Sequence, residues 1–422
     1  MRVREKKYTF FCLRLVKKKK TILYFFSSEL NFQMVKVDSG SGNNLVFLDC
    51  PTVASFPMTS GKGFIALHTG AGNCIDVSKY QLVIKDTCVR AVDSLRNGRD
   101  ALSVVTQAIS NLENNAATNA GYGSNLTFDG LIEMDASIMD GSTLNFGACT
   151  NVSDVRNPIE LAKKICEFQN HPNDHGRLPP MILSGKGASE FARTNGLTMT
   201  DPEKMISSKA SFFYKHYKNK ILKKKNEQVD NIPLTNAIIE IPNLVIEERL
   251  DTVGAICIDS QGNAAAGCSS GGVILKATGR VGQAASFGAG CWAETTDNKV
   301  VATCTTGNGE YLMKTLLAKE ICSSLDKADI PATAMYKTFK ENFLESKYLP
   351  RNEELYGGAL SLTYEPDIGS GEVIWSHTTQ SFCLGFMSTN QKVPKFVNSE
   401  LPTYSLQGKS IVVNGQKFRL TR

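Results

Sequence analysis

The sequence has 422 residues, of which 42% are hydrophobic and 21% charged, the composition of one large or two ordinary globular domains. It lacks an apolar run of about 18 residues, which argues against a membrane-spanning helix. The net charge of +6 comes from two basic segments, residues 1–36 and 204–225, and the rest of the chain has more acidic than basic residues. Because the positive charge is local, the sequence does not predict a nucleic-acid-binding face.

The first 60 residues are predicted to be a basic, disordered N-terminal extension. Residues 1–36 hold ten Lys or Arg against two acidic residues, and their best apolar run, Thr21–Phe26, is too short for a secretory signal. Residues 37–60 are rich in Ser, Gly and Asn, as linkers are. A transit segment, or a chain that starts at Met34, remains an alternative for this extension.

The globular pattern begins at Gly63, and residues 61–251 are predicted to form the first part of the domain. Residues 64–67 predict a buried strand that runs into the glycine turn His68–Gly72, and residues 82–95 carry apolar side chains at helical spacing.

Helix signals and glycine turns follow in chain order. Gly98 can end the first helix, and Asp100 can cap a second one whose apolar side chains recur on one face between residues 101 and 112. Glycine turns at 119–124 and a strand near 133–141 come next.

Residues 197–250 are predicted to be mostly a long, mobile connection. Pro, Asn, His and Lys replace the periodic apolar pattern there, and residues 204–225 carry eight lysines and no acid. A connection of this length inside a compact domain is usually functional. Its segment Lys215–Lys225 is a candidate nuclear-import signal, with a solvated charged loop as the alternative.

The bond between Asp251 and Thr252 ends this connection and opens a strand-like run, Val253–Ile258. A chain cut before Thr252 would carry a nucleophilic hydroxyl and a free amine on one residue. The unperturbed α-amine titrates at about 7.7–8.0, so that it can act as the base for its own hydroxyl near neutrality. An ordinary threonine at the start of a strand is the alternative for the Asp-Thr pair taken alone.

The C-terminal part, residues 252–422, begins with a hairpin whose second run ends in Ser269–Gly272. A strand is predicted over Val300–Thr305, a helix over 310–325, and further strands over 357–364, 372–376 and 382–388. Strands clustered between helices are typical of a layered α/β protein.

Other chemical motifs have little support. The Gly-x-Gly pairs at 70–72, 121–123 and 307–309 lack the third glycine of a dinucleotide-binding loop, and neither a P-loop nor a His-Glu-x-x-His sequence is present. Gly267–Gly271 matches the Gly-x-Ser-x-Gly elbow of α/β-hydrolases, which must lie between a strand and a helix with a histidine downstream. A second glycine, Gly272, follows, and His377 is the only downstream histidine.

Twelve cysteines are scattered without a Cys-x-x-Cys pair. Many lie in apolar runs, among them Cys257, Cys268, Cys304 and Cys383, as reduced, buried thiols do. This distribution is typical of a nuclear or cytosolic protein.

Taken together, the ordered motifs resemble the plant-type asparaginase branch of the N-terminal-nucleophile hydrolases. Within that branch they are most similar to the threonine aspartases (taspases), which cleave proteins after aspartate. The resemblance covers about Gly63 to Met387, with a gap across 197–250. The matching stretches are His68–Gly72, Asn119–Ser124, Glu133–Gly141, Asp251–Ala255, Ser269–Gly272, Gly279–Gln283, Thr305–Glu310 and Trp375–Thr379.

The resemblance implies roles for five catalytic positions. Thr252 would be the nucleophile, released by autocleavage after Asp251, and Ser270 would support its hydroxyl and amine. Thr306 and the backbone N–H of Gly307 would form the oxyanion hole, which Asn119 would complete. Removing one oxyanion donor typically costs about 100- to 1000-fold in rate.

Three further positions would bind the substrate. Arg280 would pair in bidentate fashion with the aspartate side chain, a geometry that lysine cannot reproduce. Gly309 and Gln283 would line the same pocket. Asparaginases of this type carry Asp at position 283, which holds a free α-ammonium, whereas a neutral Gln283 suits the uncharged amide of a polypeptide. Asn308, where these asparaginases have His, is a departure without an assigned effect.

The resemblance implies a four-layer αββα sandwich, assembled as a dimer of processed protomers, a heterotetramer. It implies a threonine endopeptidase that needs neither metal nor organic cofactor, with a bound monovalent ion left open. The expected partners are protein substrates cut after Asp, nuclear regulators of transcription, rather than nucleic acid or membrane, and the expected location is the nucleus and cytoplasm.

Two other functions remain open from the sequence. One is a plain asparaginase or isoaspartyl peptidase of the same fold, against which Gln283 argues. The other is a non-catalytic scaffold that recruits acidic partners through its basic loop, which an active Thr252→Ala protein would support.

Overall fold

The structure is a computed structural model that describes residues 11–17, 20–26, 33–36, 62–74, 76–170, 176–227, 249–250 and 252–420. The chain divides into two compact units, residues 1–59 and 60–422, which are described separately.

The N-terminal unit contains an antiparallel three-stranded sheet, with β1 at Phe11–Lys17, β2 at Lys20–Phe26 and β3 at Gln33–Lys36. The charge pattern predicted disorder over residues 1–60, and the structure differs from that prediction at these three strands. The physical reason is local, because β1 and β2 are rich in aromatic and aliphatic residues that favour strands in spite of the neighbouring lysines.

The larger unit alternates strands with helices. Its α-helices are α1 (Val77–Arg96), α2 (Ala101–Glu113), α3 (Pro158–Phe168), α4 (Gly185–Thr194), α5 (Ser208–Glu227), α6 (Gly309–Thr315), α7 (Leu317–Asp326) and α8 (Pro331–Thr338). Its strands are β4 (Phe64–Asn73), β5 (Met134–Asp140), β6 (Phe146–Val152), β7 (Ile182–Ser184), β8 (Arg249–Leu250), β9 (Val253–Ile258), β10 (Ala264–Ser270), β11 (Cys291–Thr295), β12 (Val300–Gly307), β13 (Gly357–Glu365), β14 (Ser370–His377), β15 (Ser381–Ser388), β16 (Lys395–Glu400) and β17 (Val412–Arg419).

The ends of α1 and α2 follow from single residues. Gly98 lies just beyond α1 with φ of +76°, a conformation that glycine adopts without strain. The Asp100 carboxylate accepts a 2.8 Å hydrogen bond from the backbone N of Ser103 and so caps α2. Both helix-boundary predictions are therefore confirmed.

Two sheets build the unit. The first has nine strands, in the order β16-β15-β4-β9-β10-β5-β6-β7, with β8 paired to β4. The second has five strands, in the order β11-β12-β13-β14-β17. Helices α1, α2 and α3 pack on one face of the nine-stranded sheet, and α7 and α8 pack on the five-stranded sheet.

Alternation along β9 shows how the layers stack. Val253 and Ala255 pack with the helices α1–α3, whereas Ile256 belongs to the core shared with the five-stranded sheet. A Cβ added to Gly254 would lie 2.8 Å from Sγ of Cys304 on β12, so the sheets meet closely at this glycine. Helices, two sheets and helices form the predicted four-layer αββα sandwich, and this prediction is confirmed.

The helix predicted over 310–325 is two helices. Leu316 has φ of +47°, which ends α6, and α7 starts at the next residue. The apolar spacing continues across the break, which is why the sequence reads as one helix.

The prediction of a mostly mobile connection over residues 197–250 is wrong for 208–227, which form the 20-residue helix α5. Three α5 side chains contact the loop at residues 117–128. Lys209 donates a 2.8 Å hydrogen bond to the carbonyl of Ala117, and Lys218 and Tyr214 donate to the carbonyl of Phe128. The sequence pattern did not indicate the helix, because lysines dominate it and its contacts are with residues about 90 positions earlier in the chain. Residues 228–248 lie outside the described part of the chain.

Within the described residues, no helix combines the length and apolarity that crossing a membrane requires.

Candidate active site

Thr252 lies where two strands share one partner. Leu250 of β8 pairs with Gly72 of β4, and Gly254 of β9 pairs with His68. The two pairs are offset by four positions on both sides, from 250 to 254 and from 72 to 68, so both sides of Thr252 run along β4 in a single register. Thr252 itself is buried, at 1% exposure. Asp251, the other half of the predicted cleavage bond, lies outside the described residues.

The other side of Thr252 faces β10. Ser269 pairs with Val253, and one more step in this antiparallel register places Ser270 beside Thr252. The Ser270 hydroxyl accepts a 3.0 Å hydrogen bond from the backbone N of Gly272, which fixes its rotamer. Ser270 is therefore held next to Thr252, and its supporting role stays a prediction.

Thr306 faces Thr252 across the two sheets. By alternation, Thr252 shares the inter-sheet face of β9 with Gly254, and Thr306 shares that face of β12 with Cys304. The Thr306 hydroxyl accepts from the backbone N of Ala71 at 3.4 Å, which leaves its own proton available for donation.

Gly307 ends β12 with φ of +132°, a conformation that side-chain-bearing residues rarely adopt. A Cβ at this position would lie 2.4 Å from the carbonyl oxygen of Tyr356, so a larger residue does not fit. Thr306 and Gly307 together can present an O–H and an N–H at one strand end, the arrangement that stabilises an oxyanion.

Gln283 contacts Thr252 directly. Its Nε2 donates a 2.6 Å hydrogen bond to Oγ1 of Thr252, and both side chains are buried. The contact is between two neutral groups, so the site holds no carboxylate at this position.

Arg280 is held along one edge of its guanidinium group. Its Nε and Nη2 donate to the two carboxylate oxygens of Glu310 at 2.8 and 2.7 Å. Arg280 is largely buried, and Glu310 is half exposed. Burial alone would raise the pKa of Glu310, but the hydrogen bonds and charge of Arg280 hold that pKa below its usual value.

The other edge of Arg280 faces three glycines. Cβ atoms built on Gly272 and Gly282 would lie 3.1 and 2.9 Å from Nη1, and one on Gly309 would lie 2.7 Å from both Nη2 and Oε1 of Gln283. Because the glycines leave this edge uncovered, a substrate carboxylate can approach Nη1 and Nη2 together. The structure thus brings Arg280, Gln283 and Gly309 together, next to Thr252.

Asn119 supports the turn after Ser270. Its Nδ2 donates to the carbonyl of Gly272 at 2.9 Å, and its Oδ1 accepts from the backbone N of Asn125 at 2.9 Å. Its own carbonyl accepts from the backbone N of Gly271 at 3.0 Å. These contacts give Asn119 a positioning role near Ser270.

Sequence reasoning assigned no role to Glu310, Asp135 or Lys276. Asp135 is the β5 partner of Ser270 and accepts from the backbone N of Gly282 at 3.1 Å. Lys276 Nζ donates to the carbonyl of Glu133 at 2.8 Å. Burial raises the pKa of Asp135 and lowers that of Lys276, against the mutual attraction of the two charges. The sequence signal for Asp135 was that Glu133 and Asp135 interrupt an otherwise apolar strand, since a buried acidic residue needs a partner.

His68 lies on β4 and pairs with Gly254 of β9, two residues after Thr252. Its Nδ1 accepts from the backbone N of Gly70 at 3.2 Å, and a Cβ on Gly254 would lie 2.4 Å from its Nε2. Complete burial lowers the pKa of His68 to about 3, so the ring is neutral. The glycine turn predicted at His68–Gly72 is wrong, because β4 continues through these residues to Asn73, with an irregular register against β15.

The α/β-hydrolase elbow is excluded by the geometry. Gly267–Ser270 lies inside β10, and residues 271–282 form no helix. His377 bonds the carbonyl of Thr379 and the hydroxyl of Ser399, at 2.9 and 3.0 Å, rather than Ser269. In the described part of the chain, no cluster of three or more His, Cys, Asp or Glu side chains is arranged to hold a metal ion.

The chain is similar in sequence to known asparaginases and isoaspartyl peptidases. The asparaginase family description matches residues 61–393. The isoaspartyl peptidase/L-asparaginase of Xenopus laevis is 34% identical over 275 residues, 65% of this chain and 79% of that protein. The isoaspartyl peptidase of Escherichia coli is 32% identical over 277 residues, 63% and 78% of the two chains. The plant-type L-asparaginase of Pyrococcus horikoshii is 37% identical over 258 residues, 60% and 77%.

Proposed function

Since the chain belongs to the asparaginase family of N-terminal-nucleophile hydrolases, we propose that it is a threonine endopeptidase that cuts itself between Asp251 and Thr252 and then cuts proteins after aspartate. The observation that carries the proposal is the neutral contact between Gln283 and Thr252. A peptide nitrogen in a polypeptide is an uncharged amide, and a buried carboxylate beside it would lack a cation.

Self-cleavage would begin at the Thr252 hydroxyl. Its oxygen attacks the carbonyl carbon of Asp251, the C–N bond breaks, and the acyl group moves from nitrogen to oxygen as an ester. Water then hydrolyses the ester, which releases the Asp251 carboxylate, the Thr252 hydroxyl and a free α-amine. That amine has a pKa of about 7.7–8.0 in its unperturbed form and can serve as the base in later cycles.

Substrate cleavage would use the same atoms. The side chain of a substrate aspartate pairs with the free edge of Arg280, and its carbonyl oxygen approaches Thr306 and the N–H of Gly307. The Thr252 hydroxyl attacks while its amine takes the proton and passes it to the leaving nitrogen. Water hydrolyses the resulting acyl-enzyme and regenerates the threonine.

A second candidate is an isoaspartyl peptidase or L-asparaginase activity on small substrates. The observation that favours it is the sequence similarity to proteins named as isoaspartyl peptidases and asparaginases. Arg280 and Thr252 would serve that reaction equally well. The two candidates differ at position 283, where a small substrate with a free ammonium group calls for a carboxylate.

Intact-mass analysis of the purified wild-type chain beside Thr252→Ala tests the first step. The proposal expects two wild-type fragments, 1–251 and 252–422, and one full-length mutant chain. Thr252→Ser is the matched variant, since it keeps a hydroxyl and should still be cut. A folded wild-type chain that stays whole would overturn the proposal and favour the scaffold hypothesis.

A substrate panel separates the two candidate activities. We expect the processed protein to cut a peptide with an internal aspartate on the C-terminal side of that residue, and to release little aspartate from L-asparagine or a β-aspartyl dipeptide. The reverse pattern would assign the protein to the second candidate. The Thr252→Ala chain is the background control for every substrate.

Assembly and location are part of the same proposal. We expect processed protomers to form a dimer, and the substrates to be nuclear regulators of transcription reached through import of the basic helix α5. Exposed lysines on α5, namely Lys215, Lys220 and Lys223, support the import step.

A further inference from the structure

Cys74 and Cys383 form a thiol pair that the hydrolase mechanism does not use. The backbone N of Cys74 donates a 3.0 Å hydrogen bond to the hydroxyl of Ser381. Ser381 and Cys383 are two residues apart on β15 and therefore point to the same face of the sheet. Cys74 packs against the core cluster that contains Cys383, and the two thiol groups share a hydrogen bond.

The two cysteines differ in access. Cys383 is buried, and its Sγ also contacts Oδ1 of Asn398 at 3.3 Å. Cys74 is half-buried, and every other cysteine whose side chain the structure describes is buried. A solvent oxidant can therefore reach Cys74 first, with Cys383 positioned as the second thiol.

The pair also joins the two halves of the chain. Cys74 precedes the Asp251–Thr252 bond and Cys383 follows it. Cys74 lies one residue beyond β4, the strand that pairs with both sides of Thr252. Cys74 lies outside the β4 ladder, so its side chain is not held by strand pairing.

We propose that Cys74 and Cys383 form a disulfide under oxidising conditions, which joins fragments 1–251 and 252–422 covalently. The covalent link between fragments rests on the proposed self-cleavage, whereas disulfide formation itself does not.

Oxidised glutathione is a sufficient oxidant for this step. The Cys74 thiolate attacks one sulfur of the glutathione disulfide and releases one glutathione thiolate. Cys383 then loses its proton and displaces the second glutathione thiolate from Cys74. Two protein thiols are oxidised, one glutathione disulfide is reduced to two thiols, and the protein loses two hydrogens.

The hydrogen bond that the Cys383 thiol shares with Cys74, together with burial, raises the pKa of Cys383 far above its usual range, because both favour the protonated thiol. Cys383 is thus a poor first nucleophile, and attack must start at Cys74. The Cys268–Cys291 pair offers an internal comparison, because these thiols are also hydrogen-bonded but both are buried and both lie in fragment 252–422.

The test is disulfide mapping after incubation of the native protein with oxidised glutathione. Free thiols are blocked with N-ethylmaleimide, and proteolytic peptides are identified by mass. We expect a Cys74–Cys383 linked peptide that is lighter by two hydrogens and is lost on reduction. Cys74 found blocked or glutathionylated, with Cys383 found blocked, would overturn the proposal.

Variants and a gel complete the test. Cys74→Ser, at a half-buried position, should abolish the link, and Cys268→Ser should leave it intact. The linked peptide should form equally in the uncut Thr252→Ala chain, so a failure of self-cleavage is distinguishable from a failure of the disulfide. In cleaved protein, the two fragments should migrate as one band without reductant and as two with it.

Discussion

Gln283 Nε2 lies 2.6 Å from Oγ1 of Thr252, and both residues are buried. The Gln283 side chain thus contacts the proposed nucleophile through Nε2. Its Oε1 faces Gly309, where a Cβ would lie only 2.7 Å away. A single side chain therefore contacts the reacting hydroxyl and borders the pocket of Arg280. In the proposed function, the neutral amide at position 283 favours a polypeptide over a small substrate with a free ammonium group.

Replacing Gln283 by Asp should move the activity from proteins towards small substrates. Leaving a buried carboxylate unpaired costs about 3 kcal/mol, so cleavage of an internal-aspartate peptide should fall about 100-fold. Release of aspartate from a β-aspartyl dipeptide should rise, because its ammonium group would pair with the new carboxylate. Both rates are measured on the processed variant.

Gln283→Asn is the control for that substitution. It keeps a neutral amide and should retain the preference for the internal-aspartate peptide, at a lower rate. Equal cleavage of the peptide by wild type and Gln283→Asp would contradict the proposed role of position 283.

Glu310→Gln should raise KM more than it lowers kcat. Glu310 holds the Nε–Nη2 edge of Arg280, and without its charge the guanidinium is no longer fixed towards the glycine-lined edge. Steady-state kinetics on the internal-aspartate peptide measure the effect. Partial recovery in Glu310→Asp is expected for a positioning residue, and an unchanged KM in Glu310→Gln would refute it.

Arg280→Lys should raise KM by about 10- to 100-fold, because a lysine cannot make the bidentate pair with a carboxylate. Kinetics are compared on two peptides, one with an internal Asp and one with an internal Asn, because these side chains have similar shapes and differ in charge. The loss should be larger for the Asp peptide, and an equal loss for both would argue against a carboxylate partner.

Thr306→Ala should lower kcat about 100- to 1000-fold with little change in KM, the result of removing one oxyanion donor. Thr306→Ser keeps the hydroxyl that accepts from Ala71 and should retain most of the rate. Single-turnover measurements on processed enzyme isolate the chemical step. A Thr306→Ala enzyme with wild-type kcat would remove Thr306 from the oxyanion hole.

Glu113 should make stability fall as pH rises. Complete burial raises its pKa from 4.5 to about 8, against opposing hydrogen bonds that include those from Asn157 and the backbone N of Ile159. Between these two values the folded state binds more protons than the unfolded state. The free energy of unfolding should therefore decrease from pH 4.5 to 8, with a slope approaching about 1.4 kcal/mol per pH unit.

Urea unfolding of the uncut Thr252→Ala chain across this pH range measures that slope. In a Glu113→Gln background the slope should be shallower, because glutamine stays neutral. The same slope with and without Glu113 would show that another group is responsible.

Nuclear accumulation should depend on the exposed lysines of α5. Replacing Lys215, Lys220 and Lys223 by Ala removes three charges from the basic surface of the helix. The nuclear-to-cytoplasmic ratio of a fluorescent fusion should fall, while self-cleavage stays normal.

A matched triple variant controls for net charge. Lys314, Lys337 and Lys340 are also exposed and lie outside α5, so their replacement by Ala should leave the ratio unchanged. Equal loss in both variants would point to total charge instead of this helix.

The sequence by itself determined the strands and the reactive residue types. The runs at 64–67 and 253–258 are short and apolar, so their strand identity was readable locally, although β4 continues to Asn73. Asp251, Thr252 and Arg280 could be identified from the sequence because they lie in short stretches, Asp251–Ala255 and Gly279–Gln283, that match the family in the same order along the chain. Helix α5 was missed, because its stabilising contacts with Ala117 and Phe128 lie about 90 residues away.

Only the tertiary structure decided which side chains meet. Glu310 contacts Arg280 across 30 residues, Gln283 contacts Thr252 across 31, and Cys74 and Cys383 meet from near the two ends of the hydrolase unit. Local propensity carries no information about such pairs, because they form when sheet register and packing fix distant segments together. The residue types were therefore set by sequence, and the site was set by the way β4, β9, β10 and β12 align.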